Sequence, residues 1–171
     1  VTERYSSHHS LLCLLIANAT AKALRWSPEL ITSMDMANLT MNVSMRALQD
    51  SLAAGTPLIT GKVRGEIDAH AAASAQMLTD CGGSDPVWIE IVRLHHDDSR
   101  KKLPLSELDE VQAAARLVRR VDQFAAKLSR RKRKDPAKVD PNNLKPSDFV
   151  QTRIARVARG CGRPEDDIRG L

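Results

Sequence analysis

Leu105 to Arg130 reads LSELDEVQAAARLVRRVDQFAAKLSR, and this stretch decides the fold class. Val111, Ala114, Val118, Val121, Ala125 and Leu128 recur at alternating spacings of three and four, which puts them on one face of an amphipathic helix. Asp122 lies beside that stripe. A helix of this length needs partners of the same kind to cover its apolar face, so the rest of the chain is read for further helices.

They are easily found. From Ser7, the positions His9, Leu12, Leu15, Ile16, Thr20 and Leu24 repeat at three to four residues, giving a helix that ends near Trp26. Ser27-Pro28-Glu29 then pairs an N-cap with proline at the first helical position. The second helix carries Ile31, Met34, Leu39, Val43, Ala47, Leu48 and Leu52, with a break expected near Asp35, and Ala54-Gly55-Thr56-Pro57 stops it. Thr60 caps a third stretch through Val63, Ile67 and His70 to Leu78, closed by Cys81-Gly82-Gly83. Ser84-Asp85-Pro86 opens a shorter helix through Trp88, Ile89, Ile91, Val92 and Leu94 that ends on His95-His96. Asp97 to Leu103 reads as a charged loop.

The expected architecture is an all-α bundle of about six to eight helices, with no strand. Residues 1–134 form its core, 135–146 a basic, proline-marked linker, and 147–171 a C-terminal helix packed on the same domain. At 171 residues the chain suits one domain with a core that needs no disulfide staples. Aromatics make up only 3% of the residues, which argues against a β-sandwich.

Cys13, Cys81 and Cys161 are odd in number, widely spread and free of any CxxC pair, so a reducing, cytoplasmic setting is expected. Leu11 to Ala17 is too short to cross a bilayer, and no membrane contact is expected within the segment. The start at Val1 rather than Met reads as part of something longer. The formal charge of +5 comes largely from Arg130 to Lys134, RRKRK. Such a run is commonly a solvated helix end; its functional reading is phosphate contact through Arg130, Arg131 and Arg133. Nucleic acid is not the expected partner, because aromatics for base stacking are scarce and no helix-turn-helix spacing stands out.

Histidines on separate helices that converge on a bundle interior are the usual way an all-helical protein holds a divalent ion. His9, His70, His95 and His96, with Asp122, are the candidate ligands. Their segments occur in the order His9-Ser10-Leu11, His70-Ala71-Ala72-Ala73, Ile91-Val92-Arg93-Leu94-His95-His96-Asp97 and Val121-Asp122-Gln123-Phe124. In that order and spacing, from His9 to Arg133, the chain resembles the HD-GYP family of the HD superfamily of metal phosphohydrolases. The resemblance implies an HD-like helical bundle and metal-ligand roles for those five residues. Family members hold two or three iron, manganese or similar ions and cleave cyclic dimeric GMP.

Two family signatures are absent. The resemblance places the His-Asp doublet on Ala37-Asn38-Leu39-Thr40-Met41-Asn42-Val43-Ser44-Met45, with Met41 in the histidine position, Asn42 in the aspartate position and Met45 in that of a lysine. A thioether suits hard divalent ions poorly, and a neutral amide supplies no bridging charge. The glycine-rich loop ending in Gly-Tyr-Pro is replaced by Asp97-Asp98-Ser99-Arg100-Lys101-Lys102-Leu103-Pro104, where only the proline survives. The expectation is therefore a catalytically inactive module acting in cyclic-di-GMP-type signalling, with no catalytic residue. It would hold no cofactor, or at most a single divalent metal. Its partners would be a protein, other domains of a longer signalling protein, cyclic-di-GMP or a second copy in a homodimer. The alternative is a weak metal-dependent phosphodiesterase that uses the remaining ligands.

Overall fold

The computed structural model describes residues 5–55, 59–100 and 102–134, with side chains to residue 128. Six α-helices, α1 (Tyr5–Ala23), α2 (Pro28–Thr40), α3 (Arg46–Ala54), α4 (Gly61–Asp80), α5 (Pro86–Leu94) and α6 (Glu110–Lys134), are joined by loops and two single-turn 3-10 helices, Val43–Met45 and Leu105–Glu107. No strand occurs among the described residues. The expected linker at 135–146 and helix within 147–171 lie outside them.

Local chemistry sets the helix ends. The Ser27 hydroxyl accepts from the Leu30 amide at 3.3 Å, and Thr60 does the same for Val63. Asp85 caps α5 twice over, accepting from Val87 N at 2.9 Å and Trp88 N at 3.3 Å. Its other oxygen accepts the Ser33 hydroxyl at 2.6 Å, which ties the start of α5 to α2. At the end of α1, Arg25 takes a left-handed φ of 58° while Trp26 N reaches back to Ala21 O, a Schellman-type closure made without the usual glycine.

Two boundaries differ from expectation. The break in the second apolar run falls at Met41 to Met45, not near Asp35: α2 continues through Asp35 to Thr40, and a 3-10 turn separates it from α3. The long helix begins at Glu110 rather than Leu105, because Asp109 accepts from Gln112 N at 2.8 Å and supplies the cap that Leu105 lacks.

α1 packs on α2, α3 and α6; α2 and α6 both pack on α5, and α4 lies against α5 and the Val43–Met45 turn. The core is built from small and aliphatic side chains, among them Cys13, Ala17, Ala21, Met34, Ile91, Val92, Val118 and Val121. Alanines on α1, α2 and α6 let their backbones approach closely, so the polar residues of those same faces are drawn into the interior. None of the described helices is long and apolar enough to cross a membrane.

Candidate metal centre

His9 from α1, His70 from α4, His95 and His96 just past the end of α5, and Asp122 from α6 converge inside the bundle. His9, His70 and His95 are buried, and His96 is partly so. The stripe of α1 that carries His9 also carries Cys13 and Ala17, so the helix period points the imidazole inward with the core.

The ring nitrogens are fixed by their partners. His70 donates Nδ1–H to the Ile67 carbonyl at 2.5 Å, and His95 donates Nδ1–H to the Val92 carbonyl at 2.6 Å. In both neutral rings the proton then sits on Nδ1, and the lone pair is on Nε2. The two Nε2 atoms lie 3.2 Å apart in a buried setting. Two acceptors facing one another repel unless a proton or a cation lies between them. Burial, with His96 adding to it, lowers the His95 pKa to about 3, so that ring resists taking a proton. His96 packs edge-on against His70 and tilted against His95, with centroids 4.8 and 4.3 Å away, and burial lowers its pKa too. His70, His95 and His96 offer ligand atoms all within 4.8 Å of one another. Two nitrogens 3.2 Å apart, each about 2.1 Å from a common ion, would subtend roughly 100° there, an ordinary angle between neighbouring ligands.

Asp122 links this histidine pole to a second cluster. Its Oδ2 is 3.9 Å from His96 Nε2, while its Oδ1 accepts from His9 Nε2 at 2.8 Å. Burial alone would raise the Asp122 pKa; the His9 hydrogen bond and the surrounding imidazoles outweigh it and leave the carboxyl below its usual range. Cys13, one turn after His9, sets its sulfur 3.6 Å from His9 Nε2, and His9, Cys13 and Asp122 form a second group of mutually close ligand atoms.

The positions that the resemblance assigns to a His-Asp doublet hold Met41 and Asn42. Met41 is wholly buried and belongs to the apolar core. Asn42 is buried too, and neither its amide nitrogen nor its amide oxygen has a hydrogen-bond partner among the described residues. Two residues on, the Ser44 hydroxyl donates to the His70 carbonyl at 3.1 Å, which holds this turn against α4 beside the histidine. A buried amide that lacks partners costs about 1–3 kcal/mol unless something polar reaches it.

Beside His95 a cavity opens between the 97–100 loop and α6, with Arg100, Arg116, Arg119 and Arg120 around it, along with Asp97 and Asp98. Arg119 donates to the His96 and Asp97 carbonyls at 3.4 and 3.1 Å and pairs with Asp98 at 2.6 Å; Arg116 holds the carbonyls of Leu103 and Arg100. These arginines are basic groups that the described residues place next to the histidines. Arg130, Arg131 and Arg133 lie on the last turns of α6, and their side chains are outside the described set. Neither Cys13 nor the α6 arginines were singled out from sequence. The His9-to-Cys13 spacing of one helical turn was the available signal for the first, and the mixed pattern Arg116, Arg119, Arg120 for the second. No family model, curated protein or solved structure was found to match the chain.

Proposed function

We propose that this helical domain is a degenerate member of the HD-GYP family that binds a divalent ion at His70, His95 and His96, with Asp122 Oδ2 alongside. It serves as a regulatory, non-hydrolytic module of cyclic-di-GMP-type signalling in the cytoplasm. The observation that carries the non-hydrolytic part is the state of the doublet: Met41 packs wholly within the apolar core, and Asn42 offers a neutral amide where a bridging carboxylate would be needed. In such hydrolases a pair of bridged ions lowers the pKa of bound water and offsets charge growing on the phosphate. Without an acid at residue 42, this chain's own groups can hold an ion through imidazoles but cannot clamp two of them side by side through the doublet.

The facing Nε2 atoms of His70 and His95 support the metal part of the reading. The arginines of the neighbouring cavity support an anionic ligand: Arg120 is exposed there, and Arg119 and Arg116 order the loop that replaces the family's glycine-rich one.

The test uses protein purified without chelator and loaded with manganese. Cyclic dimeric GMP is added, products are separated by chromatography, and binding is measured by calorimetry under the same conditions. Binding without turnover is expected. Robust hydrolysis would overturn the regulatory reading, and absence of both binding and metal uptake would overturn the whole of it. Residual hydrolysis is the competing reading; Asp122 favours it, as an acid whose two oxygens face both clusters.

A further inference from the structure

We infer that His9, Cys13 and Asp122 form a second, thiolate-bearing site selective for a zinc-class ion, distinct in chemistry from the histidine pole. The three side chains come from two helices that pack directly on each other, α1 and α6, and their ligand atoms all lie within 4.8 Å of one another. His9 and Cys13 are one turn apart on the buried face of α1, the i, i+4 spacing by which a single helix presents two ligands to one ion.

The distances suit that ion without rearrangement of the helices. With bonds of about 2.05 Å to nitrogen and about 2.3 Å to sulfur, a nitrogen–sulfur separation of 3.6 Å corresponds to roughly 110° at the metal, close to tetrahedral. The nitrogen–oxygen separation of 2.8 Å corresponds to roughly 85° and opens toward tetrahedral with a small shift of the Asp122 carboxylate. A soft sulfur, a borderline imidazole and one carboxylate select zinc over manganese or magnesium. The histidine pole, with no sulfur, carries that preference through its imidazoles alone and so less strongly.

The proton balance is definite. On binding, the Cys13 S–H bond breaks, its sulfur forms the bond to the ion, and the proton leaves to solvent. His9 frees Nε2 for the ion by carrying its proton on Nδ1 instead, facing the Tyr5 hydroxyl 3.5 Å away. Each ion bound therefore releases one proton. Burial, with the Asp122 charge adding to it, pushes the Cys13 thiol pKa well up, so the sulfur stays protonated until a cation arrives.

The site shares Asp122 with the histidine pole through its other oxygen, but His9 and Cys13 belong to this site alone, so their loss leaves the pole's three imidazoles in place. Cobalt(II), as a spectroscopic stand-in for zinc, is titrated into the whole chain, and the near-ultraviolet thiolate-to-cobalt charge-transfer band is recorded. The wild-type chain is expected to show the band. A Cys81→Ser/Cys161→Ser variant and a His70→Ala variant keep it, and Cys13→Ser loses it. Persistence of the band in Cys13→Ser, or cobalt uptake with no band in the wild type, overturns the assignment. In case Cys13→Ser fails to fold, zinc-edge X-ray absorption of the wild-type protein loaded with one equivalent decides: one sulfur at about 2.3 Å supports the site, and a shell of nitrogen and oxygen alone overturns it. Failure to take up either ion overturns it as well.

Discussion

The Nε2 atoms of His70 and His95 face each other at 3.2 Å because each ring has already given its Nδ1–H to a backbone carbonyl of its own helix, Ile67 and Val92. Two lone pairs thus face each other in a meeting that a cation between them would relieve. Manganese, which has little affinity for the Cys13 pole, should raise the melting temperature of the wild-type chain. At a hundred times its dissociation constant it contributes about 2.7 kcal/mol. His70→Ala should abolish that increment while leaving a measurable metal-free transition; an increment that survives in His70→Ala would remove the histidine pole from the account.

The same burial sets the pH dependence of the metal-free protein. The ordinary imidazole pKa of 6.5 is lowered in His95 to about 3 by burial and by His96. Between those values the unfolded chain binds a proton that the folded chain refuses, so stability rises with pH across the window and is lost as pH falls below about 6.5. The lowered pKa of His96 acts with the same sign. From pH 7 to pH 5 the His95 contribution falls by about 2 kcal/mol, read from urea midpoints at constant ionic strength. A flat or rising profile over that range would contradict a neutral His95.

How much of this was written in the chain differs by element. The long helix was legible because its apolar residues keep a strict three-four spacing, and α5 because Asp85-Pro86 announces its start. The break after Thr40 was not, since Leu39, Val43 and Ala47 continue the helical spacing and neither glycine nor proline interrupts them. What interrupts them is tertiary: Ser44 turns to bond Ser74 and the His70 carbonyl on α4. The five ligand candidates were visible as residues but not as a geometry. That Asp122 stands between two clusters, and that Cys13 belongs to one of them, depends on how closely the alanine-rich faces of α1 and α6 let those helices approach.

Asn42 offers a direct test of whether residue 42 lies within reach of the proposed ion. Its buried amide makes no hydrogen bond to any described residue, so replacing it by a carboxylate adds charge with no partner among them. Without metal, Asn42→Asp should lower stability by about 3 kcal/mol or more at neutral pH, the cost of an unpaired buried charge over an amide that is already unpaired. With manganese the loss should be recovered and the affinity for the ion should rise at least about tenfold, since an anionic ligand replaces a neutral one. Equal manganese affinity for both proteins in a competition titration would place residue 42 outside the metal's reach.

Asp85 separates the scaffold from the site. One of its oxygens caps α5 through Val87 and Trp88, and the other receives the Ser33 hydroxyl from α2, so a single carboxylate sets both where α5 begins and how it is fastened. The histidines follow the opposite end of that helix, where His95 is held by its own bond to the Val92 carbonyl. Asp85→Ala should therefore cost about 1 kcal/mol for the cap and about 1 kcal/mol more for the tie to Ser33, which keeps only the Glu29 carbonyl at 3.2 Å. Asp85→Asn should retain about half of that, because one oxygen still accepts. Manganese affinity should change less than about twofold in both variants, since neither alters a nitrogen at the histidine pole. Urea unfolding and manganese titration on the same preparations check the two halves separately; a large affinity loss without a stability loss would mean that the start of α5, and not the Val92 bond, holds His95 in place.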